Sequence, residues 1–130
     1  MKKSYAIEDL FVEWRVGFEE IGPHTFSVTD GGRGWYNIVV SQKDDVVVVR
    51  LPVMQVPGDA SKKTLLMEEV LKLNANGLLF GAYAFLEGNL LLIDTLLSDT
   101  MDPEELQSSM DSLSLALVEH FPILSKYKNA

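Results

Sequence analysis

The chain has 130 residues, a formal net charge of −8 and no cysteine, with 47% apolar and 23% charged residues. That length and apolar share fit one globular domain with a single core and set aside the disordered, collagen-like and low-complexity classes. Without cysteine there are no disulfides, thiolate nucleophiles or Cys-containing metal sites. The acidic balance, with no basic run longer than Lys2-Lys3 or Lys62-Lys63, disfavours a nucleic-acid partner.

Met1-Lys2-Lys3 could open a signal peptide, but Glu8, Asp9 and Glu13 interrupt the stretch where its apolar centre would lie. The densest apolar run, Leu90 to Ile93 with Leu96-Leu97 beyond Asp94-Thr95, is far short of a membrane span. A cytoplasmic protein with no membrane partner is the expectation. The charges are unevenly spread. From Asn74 to Ser125 there is no Lys or Arg, while eight acids, Glu87 to Glu119, stand unopposed; this is a solvated face or an acidic docking surface.

Taken in chain order, Ser4 can cap a first helix in which Ile7, Leu10, Phe11, Trp14 and Phe18 share one face. Val12 and Val16 lie on its opposite, otherwise charged side. Gly22-Pro23 would end this helix, since proline cannot continue the hydrogen-bond ladder. Three strands are expected next: His24 to Thr29, Trp35 to Gln42 and Asp45 to Val53. Asp30-Gly31-Gly32-Arg33-Gly34 joins the first pair and Lys43-Asp44 the second, giving an antiparallel meander. Val46 to Val49 is an unbroken β-branched run, the pattern of a central strand covered on both faces.

A second helix is expected from Ala60 or Ser61 to Leu73. Leu66, Val70 and Leu73 make one stripe and Met67 with Leu71 a second, an apolar arc wider than one sheet contact needs. Gly81 to Leu86 and Leu90 to Leu97 form a hairpin around Glu87-Gly88-Asn89. The final helix has the clearest start: Asp102 as cap, Pro103 in the first helical position and Glu105 in the third. Leu106, Met110, Leu113, Leu117 and Phe121 form its buried stripe. The expected class is α+β: a single domain, 1–130, with a five-stranded antiparallel sheet and the order α-β-β-β-α-β-β-α.

A search for chemistry finds no catalytic or metal-binding residues. His24 and His120 stand far apart with no imidazole at ligand spacing, so neither a metal nor another cofactor is expected. No serine occupies a Gly-x-Ser-x-Gly elbow. The Asp30 to Gly34 segment lacks the Gly-Lys-Ser/Thr ending of a phosphate loop and leads into a strand, so a turn is the reading. Asp94, inside an apolar strand, is either a buried carboxylate or an outward-facing one. Aromatic residues are conspicuous on the first helix, at Trp35-Tyr36 and at Phe80, Tyr83 and Phe85; most fit a core, and the rest would serve a client-binding surface.

Between Leu65 and Phe121 the residues resemble the type III secretion chaperone-like superfamily, which includes the CesT-type chaperones and the YbjN proteins. The likeness lies in Leu71-Lys72-Leu73-Asn74 closing the central helix, Phe80-Gly81 before the next strand, the Gly88-Asn89 turn and the Asp102-Pro103-Glu104-Glu105-Leu106 helix start. Over the first 60 residues the match is one of element order. The resemblance implies a homodimer that binds an extended segment of a client protein and turns over no substrate. Carried onto this chain, it implies dimer contacts at Leu66, Met67, Val70 and Leu71, and a client surface at Val12, Val16, Trp35 and Tyr36. A YbjN-like regulatory or stress-linked adaptor with a folded partner is the alternative. A small-ligand or catalytic domain would require a concave pocket with convergent polar groups.

Overall fold

The computed structural model describes residues 6–128, so the Ser4 cap lies outside the described residues. Helix α1 spans Ile7–Trp14 and buries Ile7, Leu10 and Phe11. It stops earlier than its apolar spacing suggests because Arg15 adopts a left-handed conformation (φ 59°) and its N–H bonds back to the Val12 carbonyl at 3.1 Å. The chain then extends. Gly17–Gly22 forms strand β1 and pairs antiparallel with β2, Thr25–Asp30, around a two-residue turn at Pro23-His24. The proline expected to end a helix therefore shapes a hairpin. Gly17 is required there, since a Cβ would come within 2.9 Å of the Thr29 carbonyl oxygen. Phe18 still reaches the face of Phe11, but from a strand: its ring centroid lies 5.7 Å from Phe11 and 5.9 Å from Phe26.

Strand β3 is Trp35–Lys43 and β4 is Val46–Gln55, joined by Asp44-Asp45. The Asp30–Gly34 connection is a turn, as its glycines suggest: Asp30 Oδ1 accepts from the Gly32 N–H, and Gly34 has φ 76°. Helix α2 runs over Ala60–Asn76, capped by Asp59. Strands β5, Ala82–Leu86, and β6, Asn89–Leu97, pair around Glu87-Gly88, both with positive φ. Helix α3, Pro103–Leu124, starts as its sequence dictates, with Asp102 Oδ1 accepting from the Glu105 N–H at 2.8 Å.

The single domain is α+β, and its antiparallel sheet has six strands, not five, in the order β1-β2-β3-β4-β6-β5. The extra strand is β1, cut from the region whose 3.6-residue spacing reads as helix. α3 packs across β3, β4 and β6, and α2 lies against β5. The buried side chains Ile38, Val40, Val47, Val49, Leu51 and Leu92 project from one sheet face toward α1 and α3. Along β4 the alternate residues Val46, Val48 and Arg50 are only half-buried. The Val46–Val49 run is thus central, but helices cover one of its faces and not both.

Candidate interaction surfaces

Four groups of side chains could carry function: the outer flank of α2, the predicted client residues, the outer face of the sheet and an acidic cleft at the start of α3. On α2, Leu66 and Val70 are 0% and 2% exposed and belong to the protomer's own core. Met67 is half-buried, and Leu71, one turn later on the same flank, is 66% exposed. The wide apolar arc therefore divides into a core stripe and an outward stripe. Leu65 adds a second exposed leucine on the other side of the helix.

The predicted client residues divide in the same way. Val12 and Tyr36 are 62% and 60% exposed, whereas Val16 and Trp35 are buried. Trp35 is fully enclosed, its ring 6.1 Å from that of Trp14, and its indole Nε1–H donates to Asp111 Oδ1 at 2.8 Å. Arg33 stacks over the same indole at 5.1 Å. Trp35 thus ties the start of β3 to α3. Sequence spacing missed the exposed apolar residues of α3, because Leu115 and Val118 lie off the stripe that pattern picks out and Phe121, which it includes, is 51% exposed.

The free edge of β5 is closed from within. Asn74, in the last turn of α2, accepts from the Tyr83 N–H at 2.6 Å and donates to the Tyr83 carbonyl at 3.3 Å. The Tyr83 hydroxyl in turn shares a 2.6 Å hydrogen bond with Nδ1 of buried His120. Burial pushes the Tyr83 phenol above its ordinary pKa. His120 is thus a packed core residue of α3, bonded to a neighbouring strand.

A cleft of about 290 Å³ lies between β6 and the beginning of α3, lined by Phe80, Leu96 and the carboxylates of Asp94, Asp102, Glu104 and Glu105. Asp94 is half-buried and faces α3. Its Oδ2 accepts from Ser109 Oγ at 2.8 Å and its Oδ1 from the Thr95 N–H. No histidine, lysine or arginine is found among the described residues that line this cleft. Among the described residues, no group of three or more His, Asp or Glu side chains is placed to hold a metal, and no helix is long and apolar enough to cross a membrane.

Fold and surface together define a small α+β domain marked by uncovered apolar surface more than by an enclosed polar site. The chain belongs to the CesT_Tir_1 family, whose model it matches over residues 2–130. No curated protein matches its sequence. Among solved structures it is similar to YbjN from E. coli, with 11% identity, a TM-score of 0.67 and coverage of 93% of this chain and 96% of that one. A chain of the heterodimeric ExoU–SpcU complex from the type III secretion system of Pseudomonas aeruginosa gives 14% identity and a TM-score of 0.63 over 92% and 98%. One from the HopA1–SchA chaperone–effector complex gives 11% and 0.61 over 88% of each chain. These likenesses concern the fold.

Proposed function

We propose that this protein is a non-enzymatic, cytoplasmic, chaperone-like homodimer that binds an extended segment of a client protein. The observation that carries the reading is the family match, which extends over nearly the whole chain; the fold shared with chains of two complexes, one of them named a chaperone–effector complex, supports it. The dimer contact is assigned to the outward stripe of α2, Met67 and Leu71, because Leu66 and Val70 are already used in the core. A large exposed leucine beside a half-buried methionine is the kind of surface that a second copy covers. Val12 and Tyr36 offer exposed apolar and aromatic area for a client.

Light scattering on the purified protein tests the dimer. A mass of two chains for the wild type, falling to one chain in Leu71→Asp with unchanged circular dichroism, is the expected result; a one-chain mass for the wild type removes it. The second reading is a YbjN-like regulatory adaptor with a folded partner, which the fold shared with YbjN accommodates equally. The two separate on the partner's state: a chaperone-like protein retains a partner segment as an isolated peptide, whereas an adaptor loses it once the partner's fold is removed.

A further inference from the structure

Arg50 stands midway along β4 on the outer face of the sheet. Its register partners on that face are Val39 of β3 and Ile93 of β6, and Val48 and Pro52 precede and follow it two positions away. Its Nε is buried and has no hydrogen-bond partner, and Arg50 enters no ion pair among the described residues. The carboxylate in the same row, Glu19 of β1, is three strands away, about 14 Å at the usual strand spacing. Asp94 pairs with Val49 and so projects from the opposite face.

Two features of this face are unusual. An antiparallel sheet with one open face normally places polar residues there, yet Val39, Val46, Val48 and Ile93 form a half-buried β-branched field on the face away from α3, and among the described residues no helix packs across it. Within it lies a guanidinium with an enclosed, unpartnered N–H, and such groups ordinarily have an acceptor. The guanidinium's planar fork matches a carboxylate with two parallel hydrogen bonds. In a chain of net charge −8 an acidic ligand is repelled over most of the surface. Arg50 is therefore a point where a negative charge would be selected and a bound segment held in register.

We propose that the outer sheet face seats an extended segment of a partner protein in which one Asp or Glu pairs with Arg50. Side chains of an extended chain alternate, so the residues two positions before and after the acid face the sheet as well. They are apolar and pack on Val48, Pro52 and the neighbouring Val39 and Ile93. The inference rests on the protein-binding reading above and specifies the chemistry of the segment that is bound.

Panning a random dodecapeptide phage library on the full chain tests it. The wild type enriches peptides with an acid flanked at plus and minus two by apolar residues; Arg50→Met loses the preference for the acid while its melting temperature holds or rises. A synthetic enriched peptide loses about tenfold or more in affinity for the wild type when its acid becomes the amide, the scale of a charge-assisted pair, and loses nothing for Arg50→Met. Enriched peptides without an acid, or an acid preference that survives in Arg50→Met, overturn the pairing and leave the protein-binding reading intact. A library that yields no peptide overturns both. A fall in melting temperature in Arg50→Met makes the residue structural, and a change from dimer to monomer in Arg50→Glu assigns the face to a second copy; either result overturns the proposal.

Discussion

The side-chain amide of Asn74 makes to the backbone of Tyr83 the two hydrogen bonds that a seventh strand would make, one accepted at 2.6 Å and one donated at 3.3 Å. A helix terminus thus caps the edge of the sheet, where unpaired backbone groups would otherwise invite another strand. It also explains why α2 continues to Asn76, beyond the apolar stripe that ends at Leu73.

Asn74→Leu removes both bonds and leaves the part-buried Tyr83 N–H without an acceptor. The expected cost is about 1–3 kcal/mol, read as a lower urea midpoint, with faster amide hydrogen exchange at Tyr83. Exchange unchanged at that amide would show that the edge is closed by something other than Asn74.

Tyr83 and His120 give the fold an alkaline limit. Burial raises the Tyr83 pKa, so above the ordinary tyrosine value of about 10 the unfolded chain releases a proton that the folded chain retains. The stabilising contribution is complete below about pH 10 and is lost as pH rises from there toward the higher folded value. Urea midpoints measured at about pH 8 and about pH 10.5 should fall more steeply in the wild type than in Tyr83→Phe. At the lower pH the variant should be about 1–3 kcal/mol less stable, because His120 Nδ1 loses its partner. Gly77 belongs to the same corner: a Cβ there would meet the Leu73 carbonyl at 3.0 Å and His120 Nε2 at 3.1 Å.

The Trp35–Asp111 bond joins β3 to α3 by a donor in a fully enclosed ring and a charged acceptor at the surface. Asp111→Ala leaves the indole N–H unsatisfied and should cost about 1–3 kcal/mol. Asp111→Asn, which keeps an acceptor, should cost less than half of that. Equal losses in the two variants, measured by chemical denaturation, would mean that the charge and not the hydrogen bond matters.

Two apolar residues of α3 should behave differently although they share its expected stripe. Leu113 is fully buried and Leu113→Ala should cost about 2–5 kcal/mol, while Phe121, half exposed with Lys128 over its ring at 4.9 Å, should cost under about 1 kcal/mol as Phe121→Ala. Comparable losses would place Phe121 in the core.

Much of this architecture is legible from local chemistry. The start of α3 follows from Asp102-Pro103 and Glu105, the β3–β4 hairpin from β-branched runs separated by turn residues, and the β5–β6 hairpin from two apolar runs around Glu87-Gly88-Asn89. The Asp30–Gly34 turn follows from its glycines, and the family resemblance from short segments around α2, β5 and α3. The region from Val16 to Gly22 misleads for a definite reason. Phe11, Trp14 and Phe18 fit helical spacing, and no propensity within that window outweighs it. The left-handed turn at Arg15 interrupts that spacing, and the strand is then fixed by the pairing of Gly17 with Thr29, a contact with a later segment of the chain.

The candidate surfaces show the same division. Sequence by itself determined that the protein is small, acidic, cysteine-free and α+β, and that α2 carries more apolar residues than one packing contact consumes, because these depend on composition and on periodicity within an element. Tertiary structure alone decided that Leu66 and Val70 face inward while Leu71 faces outward, and that Trp35 is locked to Asp111. It also decided that the valines of β4 are covered on one side only, with Arg50 among those on the other. Which flank of an amphipathic element is buried depends on what packs across it, and that partner is brought there by strand order and register, which no local pattern encodes.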